Sequence, residues 1–176
     1  MSEKKLRNPV GYTDLIGASG ISKSDLRIQV NGAIDEASAV LSLAKGFLPD
    51  AYWQDKLTIC QQDLSKMMGF TARIGTEKEL PESPDLFEEE FERLEALLDE
   101  IKSQVELPRK FIFPGYTQTT GTLDLARSIV RRAERVVNEG YDSLGIDAAN
   151  IRQYLNRLNS LCYLLILKFP DPEADS

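Results

Sequence analysis

The chain has 176 residues, 21 Lys and Arg against 28 Asp and Glu for a net charge of −7, no histidine and two cysteines. That length suits a single domain spanning 1–176, and the acidic balance argues against nucleic acid or an anionic membrane surface as partner. Without histidine there is no Ser-His-Asp or Cys-His nucleophile system, no imidazole acid or base and no His-ligated metal, and two cysteines cannot close a zinc site alone.

No apolar run approaches the roughly 18 residues of a membrane span, and MSEKKLRNPV lacks the apolar stretch of a secretory signal, so the expected location is cytoplasmic. Prolines at 9, 49, 81, 84, 108, 114, 170 and 172 divide the chain into windows, each with helical periodicity. Residues 1–23 read as an N-terminal loop. In it Gly11, Gly17 and Gly20 surround Thr13 and Lys23, a set that could bring backbone N–H groups and an ammonium to a phosphate. The first helix starts at Ser24 as N-cap and ends at Pro49, with Val30, Ala33, Ile34, Ala37, Leu41 and Ala44 inward. Asn31, Asp35, Ser38 and Ser42 form its polar edge, read as solvated.

The second helix runs from about Ala51 to Ala72, its apolar stripe made of Trp53, Leu57, Cys60, Leu64 and Met67. Residues 75 to 85 read as a mobile connection. The third helix, from about Pro84 to Val105, lies in a stretch where eleven acids between 79 and 106 face only Arg93 and Lys102, the pattern of a solvated face. The segment LPRKFIFPG follows at 107–115, with Phe113 read as a core anchor and Phe111 as core or as the wall of a ligand pocket. The fourth helix spans about Gln118 to Asn138, with Leu123, Ala126, Val130, Ala133 and Val137 inward. The fifth starts at Asp147 as cap and ends before Pro170, with Leu155, Leu158, Cys162, Leu165 and Phe169 on one stripe. Both cysteines therefore read as small buried hydrophobes. The tail PDPEADS at 170–176 reads as flexible. With no useful strand alternation, the expected class is all-α, a five-helix up-and-down bundle of ferritin-like appearance.

The most informative stretch is ARSIVRRAER at 126–135, on the fourth helix. Arg127, Arg131 and Glu134 follow one another at helical spacing along the border of the apolar stripe. Guanidinium groups there suit carboxylates or phosphates, whose oxygens match their fork of donors.

Together these pieces resemble the PduO-type ATP:cob(I)alamin adenosyltransferases. GYTDLIG at 11–17, ISKSD at 21–25, the Asp35-Glu36 pair, FIFPGY at 111–116, ARSIVRRAER at 126–135 and YLNRLNS at 154–160 stand in the family's order across about residues 11 to 168. The resemblance implies a five-helix bundle assembled as a homotrimer with active sites between subunits. Its reaction would move the 5′-deoxyadenosyl group of ATP, with Mg²⁺, onto the cobalt of reduced cobalamin or a related corrinoid, with a corrinoid reductase as a further partner. Arg131 would bind the triphosphate, and Arg127 would pair with Asp35 across the subunit interface. Glu134 matches the acid of the arginine block. Gly11, Thr13, Lys23 and Asn156 would contact ATP, and Phe111 would occupy the lower face of the corrin. The chain has RNPV at 7–10 where the family has T-G-D-x, Tyr116 for the second glycine of P-G-G, and Asp124 for the histidine before the arginines. The alternative reading is a non-catalytic corrinoid- or nucleotide-binding homologue.

Overall fold

The computed structural model describes residues 8–76 and 87–172, and its element order is β1 (Tyr12–Leu15), β2 (Ala18–Ser22), α1 (Leu26–Phe47), α2 (Ala51–Arg73), α3 (Glu88–Lys102), α4 (Gln118–Leu144) and α5 (Ala149–Lys168). The five helices form a bundle in which α4 packs on both α1 and α5, α2 lies against α1, and α3 against α5. Polar contacts from α3 to α2 close the ring: Tyr52 donates to Glu100 at 2.6 Å, Lys66 pairs with Glu90 at 2.6 Å, and Arg93 with Asp63 at 2.7 Å.

The apolar stripes named from the sequence form the core. Val30, Ile34, Ala37, Leu41 and Ala44 of α1 face Leu123, Ala126, Val130, Ala133 and Val137 of α4 across an interface sealed from water, and Ala33 packs at its margin. Cys60 and Cys162 are buried, and burial pushes both thiols up to about 12, so they stay protonated. Asp63, only 2% exposed, is tolerated because Arg93 and the Tyr154 hydroxyl (2.8 Å) satisfy its carboxylate.

Several boundaries differ from the sequence reading. The N-cap of α1 is Asp25, which accepts the Arg27 N–H at 2.9 Å, while Ser24 is tied to Ser22. The N-cap of α5 is Ala148, with no side-chain cap, in place of Asp147. Helix α3 ends at Lys102, short of Val105. Helix α4 continues past Asn138 to Leu144, where Gly145 ends it in the left-handed region (φ 66°). Asn31 is no solvated residue: its Nδ2 donates to the Met68 carbonyl of α2. The stretch 77–86, which includes Pro81 and Pro84, and residues 1–7 and 173–176 lie outside the described residues.

Gly140 lies within this extension of α4. A Cβ at that position would lie 2.3 Å from Val30 Cγ2, so α1 and α4 approach more closely than any other residue permits. Val30 is β-branched and stiff in a helix, so it cannot turn aside. Gly140→Ala should therefore lose about 1–3 kcal/mol to overpacking and regain about 1 from helix propensity, a net loss seen as a lower Tm. Adding Val30→Ala should recover part of that loss; additive effects in thermal melts would show that the contact is not the cause.

Candidate functional site

The N-terminal segment is not a plain loop. Residues 12–22 form an antiparallel hairpin pairing Tyr12 with Ser22, Thr13 with Ile21 and Leu15 with Ala18, with an irregularity between Thr13 and Leu15. Its strands are short and none of their residues is fully buried, so no alternation of hydrophobicity marks them in the sequence. Gly17 at the turn and Gly20 have positive φ (87° and 67°), which only glycine adopts readily. The Lys23 N–H donates to the Gly11 carbonyl at 2.8 Å, which extends the pairing by one step. Gly11, Thr13 and Lys23 thus meet at one end of the ribbon, with Thr13 and Lys23 on the same face.

Helix α4 carries the second group. Thr117 and Thr120 form a reciprocal capping box at its start, which sets the phase of every side chain after it. Arg127 is half-buried and held by Asp124 one turn earlier, with Nε at 2.8 Å and Nη2 at 2.7 Å from Oδ1. Arg132 pairs with Glu36 of α1. Arg131 is exposed and makes no hydrogen bond or ion pair among the described residues. One turn further, Glu134 accepts a hydrogen bond from Asn156 of α5 at 3.0 Å. These two residues open onto a cleft of about 550 Å³ shared with Asn138, Asp142, Arg152 and Arg157. Arg152 pairs with Asp142 at 2.8 Å, so the cleft holds both donors and acceptors.

The third group lies at the other end of α4. Pro108 to Pro114, Asp124, Arg127 and Tyr163 line a cavity of about 460 Å³. Phe111 and Phe113 contact each other edge to face at 5.3 Å, yet stand 85% and 78% exposed. Phe113 is therefore not the core anchor expected; Ile112 packs inward in its place, and alternation along an extended segment turns both aromatic rings outward. Asp35 is exposed on α1 and is not joined to Arg127 within one chain. Among the described residues, no hydrogen bond or ion pair connects Gly11, Thr13 or Lys23 with Arg131, Glu134 or Asn156. One chain thus presents three pieces: a hairpin end, a free guanidinium beside an acid-amide pair, and an aromatic wall beside Arg127.

The family model for cobalamin adenosyltransferase matches residues 7–169, which contain all three pieces. The chain belongs to the cobalamin adenosyltransferase family. It is 32% identical over 157 residues to the corrinoid adenosyltransferase PduO of Salmonella typhimurium, covering 88% of this chain but 46% of that protein. The chain thus spans about half the length of that relative. The corrinoid adenosyltransferase of Mycobacterium bovis is 30% identical over 174 residues, covering 94% of this chain and 86% of its own. Among solved structures, a variant PduO-type ATP:corrinoid adenosyltransferase from Lactobacillus reuteri, complexed with cobalamin and ATP, has the same fold, with a TM-score of 0.79. It is 24% identical and covers 90% of this chain and 86% of that one.

Within this adenosyltransferase-family chain, three features escaped sequence reasoning. Asp124 gives Arg127 a partner; its signal is the i, i+3 spacing. Tyr163, on the cavity wall, has no sequence signal that sets it apart from the apolar residues around it in α5. Asp171 lies in the segment read as flexible tail, yet it is bonded to the start of α4.

Proposed function

We propose that this protein transfers the 5′-deoxyadenosyl group of ATP to the cobalt of reduced cobalamin or a related corrinoid, releasing triphosphate. The single observation carrying this reading is that α4 joins an unpaired, exposed Arg131 to the Glu134–Asn156 pair at one end and the Arg127–Phe111 cavity at the other. Anionic phosphates and a flat, largely apolar ring system are what those two environments suit.

The chemistry is compatible with a chain lacking histidine. Co(I) is itself a powerful nucleophile and triphosphate departs as an anion, so no side chain has to move a proton. The protein's work is to balance phosphate charge, align the 5′ carbon with cobalt and control the lower face of the corrin. We assign the triphosphate to Arg131 and Lys23, the nucleotide to Gly11, Thr13 and Asn156, the catalytic set to Arg127, Arg131, Glu134 and Asp35, and the corrin's lower face to Phe111. Mg²⁺ would arrive with ATP. Such an ion would be held largely by phosphate oxygens and water.

Because none of Gly11, Thr13 and Lys23 has a polar contact with Arg131 among the described residues, the reading calls for a second copy to complete the site. We infer a homotrimer with shared sites, in which Asp35 of one subunit approaches Arg127 of the next. Light scattering at micromolar concentration should give a trimer mass; a monomer would remove the shared site. We further infer a single domain acting in the cytoplasm with a corrinoid reductase as partner, and neither nucleic acid nor membrane. No helix among the described residues is long and apolar enough to cross a membrane.

The deciding experiment is an anaerobic assay with ATP and chemically reduced cobalamin, following loss of the Co(I) absorbance. The non-catalytic reading draws its support from Arg-Asn-Pro-Val at 7–10, which lacks the acid and hydroxyl of the family's loop. Corrinoid binding without ATP binding in calorimetry would favour that alternative.

A further inference from the structure

Three donors converge on Asp171, three residues beyond the end of α5. Its Oδ1 accepts the Thr117 N–H at 2.8 Å and the Thr120 hydroxyl, and its Oδ2 accepts the Gly115 N–H at 3.0 Å. The Gly115 N–H is shared with the Thr120 hydroxyl at 3.2 Å. Thr117 and Thr120 open α4, where the helix dipole also favours an anion. Burial alone would raise the Asp171 carboxyl, but the donors from Thr120, Gly115 and Thr117 outweigh it and hold the group below the usual carboxylate range. Pro170 and Pro172 flank the residue and restrict its backbone, so holding the carboxylate there loses little entropy.

What this carboxylate holds is the end of the segment that carries Phe111. Among the described residues, no hydrogen bond ties Leu107 to Pro114 to the rest of the protein, and the segment forms neither helix nor strand. Ile112 packs on the core, and the next fixed point is the Gly115 to Thr117 turn that Asp171 grips. Gly115, at φ 126°, is a backbone position where the chain could otherwise swing. Phe111 lies four residues from that grip.

We propose that Asp171 is a positioning residue: it latches the Gly115–Thr117 turn onto α4 and thereby fixes the Phe111 ring over its cavity. The functional half of this proposal rests on the corrinoid reading of Phe111 given above.

The test compares the full chain with Asp171→Ala and Asp171→Asn, using amide hydrogen exchange, a fluorine label on the Phe111 ring, and turnover. Asp171→Ala should speed exchange at Gly115 and Thr117 by about tenfold or more, the size of a lost charge-assisted hydrogen bond. The fluorine signal should collapse to a motionally averaged line. Turnover from Co(II) with reductant should fall about tenfold, while turnover from supplied Co(I) and ATP affinity change less than about twofold. Asp171→Asn keeps one carbonyl oxygen, which should go to Thr117 and Thr120; Thr117 then stays protected and Gly115 exchanges as in the alanine variant. Equal exchange in wild type and Asp171→Ala would overturn the latch. An unchanged fluorine line, or equal losses from Co(II) and Co(I), would overturn the positioning role. An inactive wild type would overturn the adenosyltransferase reading alone, because the exchange and fluorine measurements decide the latch without turnover.

Discussion

Replacing Arg131 with alanine should weaken ATP binding by about 1.5–3 kcal/mol, roughly 10- to 150-fold in Kd, the size of a lost charged hydrogen bond. On α4, Arg127 is engaged by Asp124 and Arg132 by Glu36, whereas Arg131 and Arg135 have no partner among the described residues; of those two, Arg131 is the one that precedes the Glu134–Asn156 pair by a turn. A guanidinium kept unpaired on a rigid helix, one turn before the Glu134–Asn156 pair, loses no ion pair when it meets phosphate. The substitution itself should leave stability within about 0.5 kcal/mol, since the site is exposed and alanine favours helix. Arg131→Lys should fall between the two, keeping the charge and losing the fork. Calorimetry with ATP and Mg²⁺ checks this directly, with Arg135→Ala as an exposed neighbour expected to bind normally. Unchanged affinity in folded Arg131→Ala protein would remove the triphosphate assignment.

Phe111→Ala should lower turnover from cob(II)alamin with added reductant by about 10- to 100-fold, the range over which lost positioning slows reactions. The reason is electronic as well as steric. A lower water or base on Co(II) donates electron density and raises the orbital that must accept the incoming electron, so excluding that ligand makes the metal easier to reduce. Phe111 is 85% exposed beside a cavity of about 460 Å³, an arrangement that leaves most of an aromatic ring available to cover an apolar face. With Co(I) supplied ready-made, the reduction step is bypassed and the loss should be much smaller. The arginine proposed for the triphosphate, Arg131, does not line this cavity, so ATP affinity should hold. The four-coordinate Co(II) signal expected of wild type with ATP should vanish in the variant; a wild type showing only five-coordinate Co(II) would refute the role.

Helix existence was determined locally. Prolines cost about 3 kcal/mol inside a helix, so they delimit windows, and within each window the three-four spacing of apolar residues leaves one face to bury. The stripes of α1, α2, α4 and α5, the burial of Cys60 and Cys162, and the alignment of Arg127, Arg131 and Glu134 on one helix edge follow from that spacing alone. Motif order then sufficed to name the family.

What tertiary structure decided was where polar groups find partners, because a hydrogen bond between residues distant in sequence leaves no periodic trace. Asp63 with Arg93 and Tyr154, and Glu134 with Asn156, are pairs of this kind, as is Asp171 with a turn more than 50 positions earlier. The β1–β2 hairpin belongs with them: its strands bury neither face, so nothing alternates, and cross-strand pairing creates the fold that brings Gly11, Thr13 and Lys23 together. The exposure of Phe111 and Phe113 was likewise settled by packing, since Ile112 between them packs against the core and the extended backbone sends its neighbours the other way. The glycine in the last turns of α4 is explained by a contact rather than by propensity. Gly140 would weaken an isolated helix, and it persists here because Val30 of α1 needs the space that a Cβ would take.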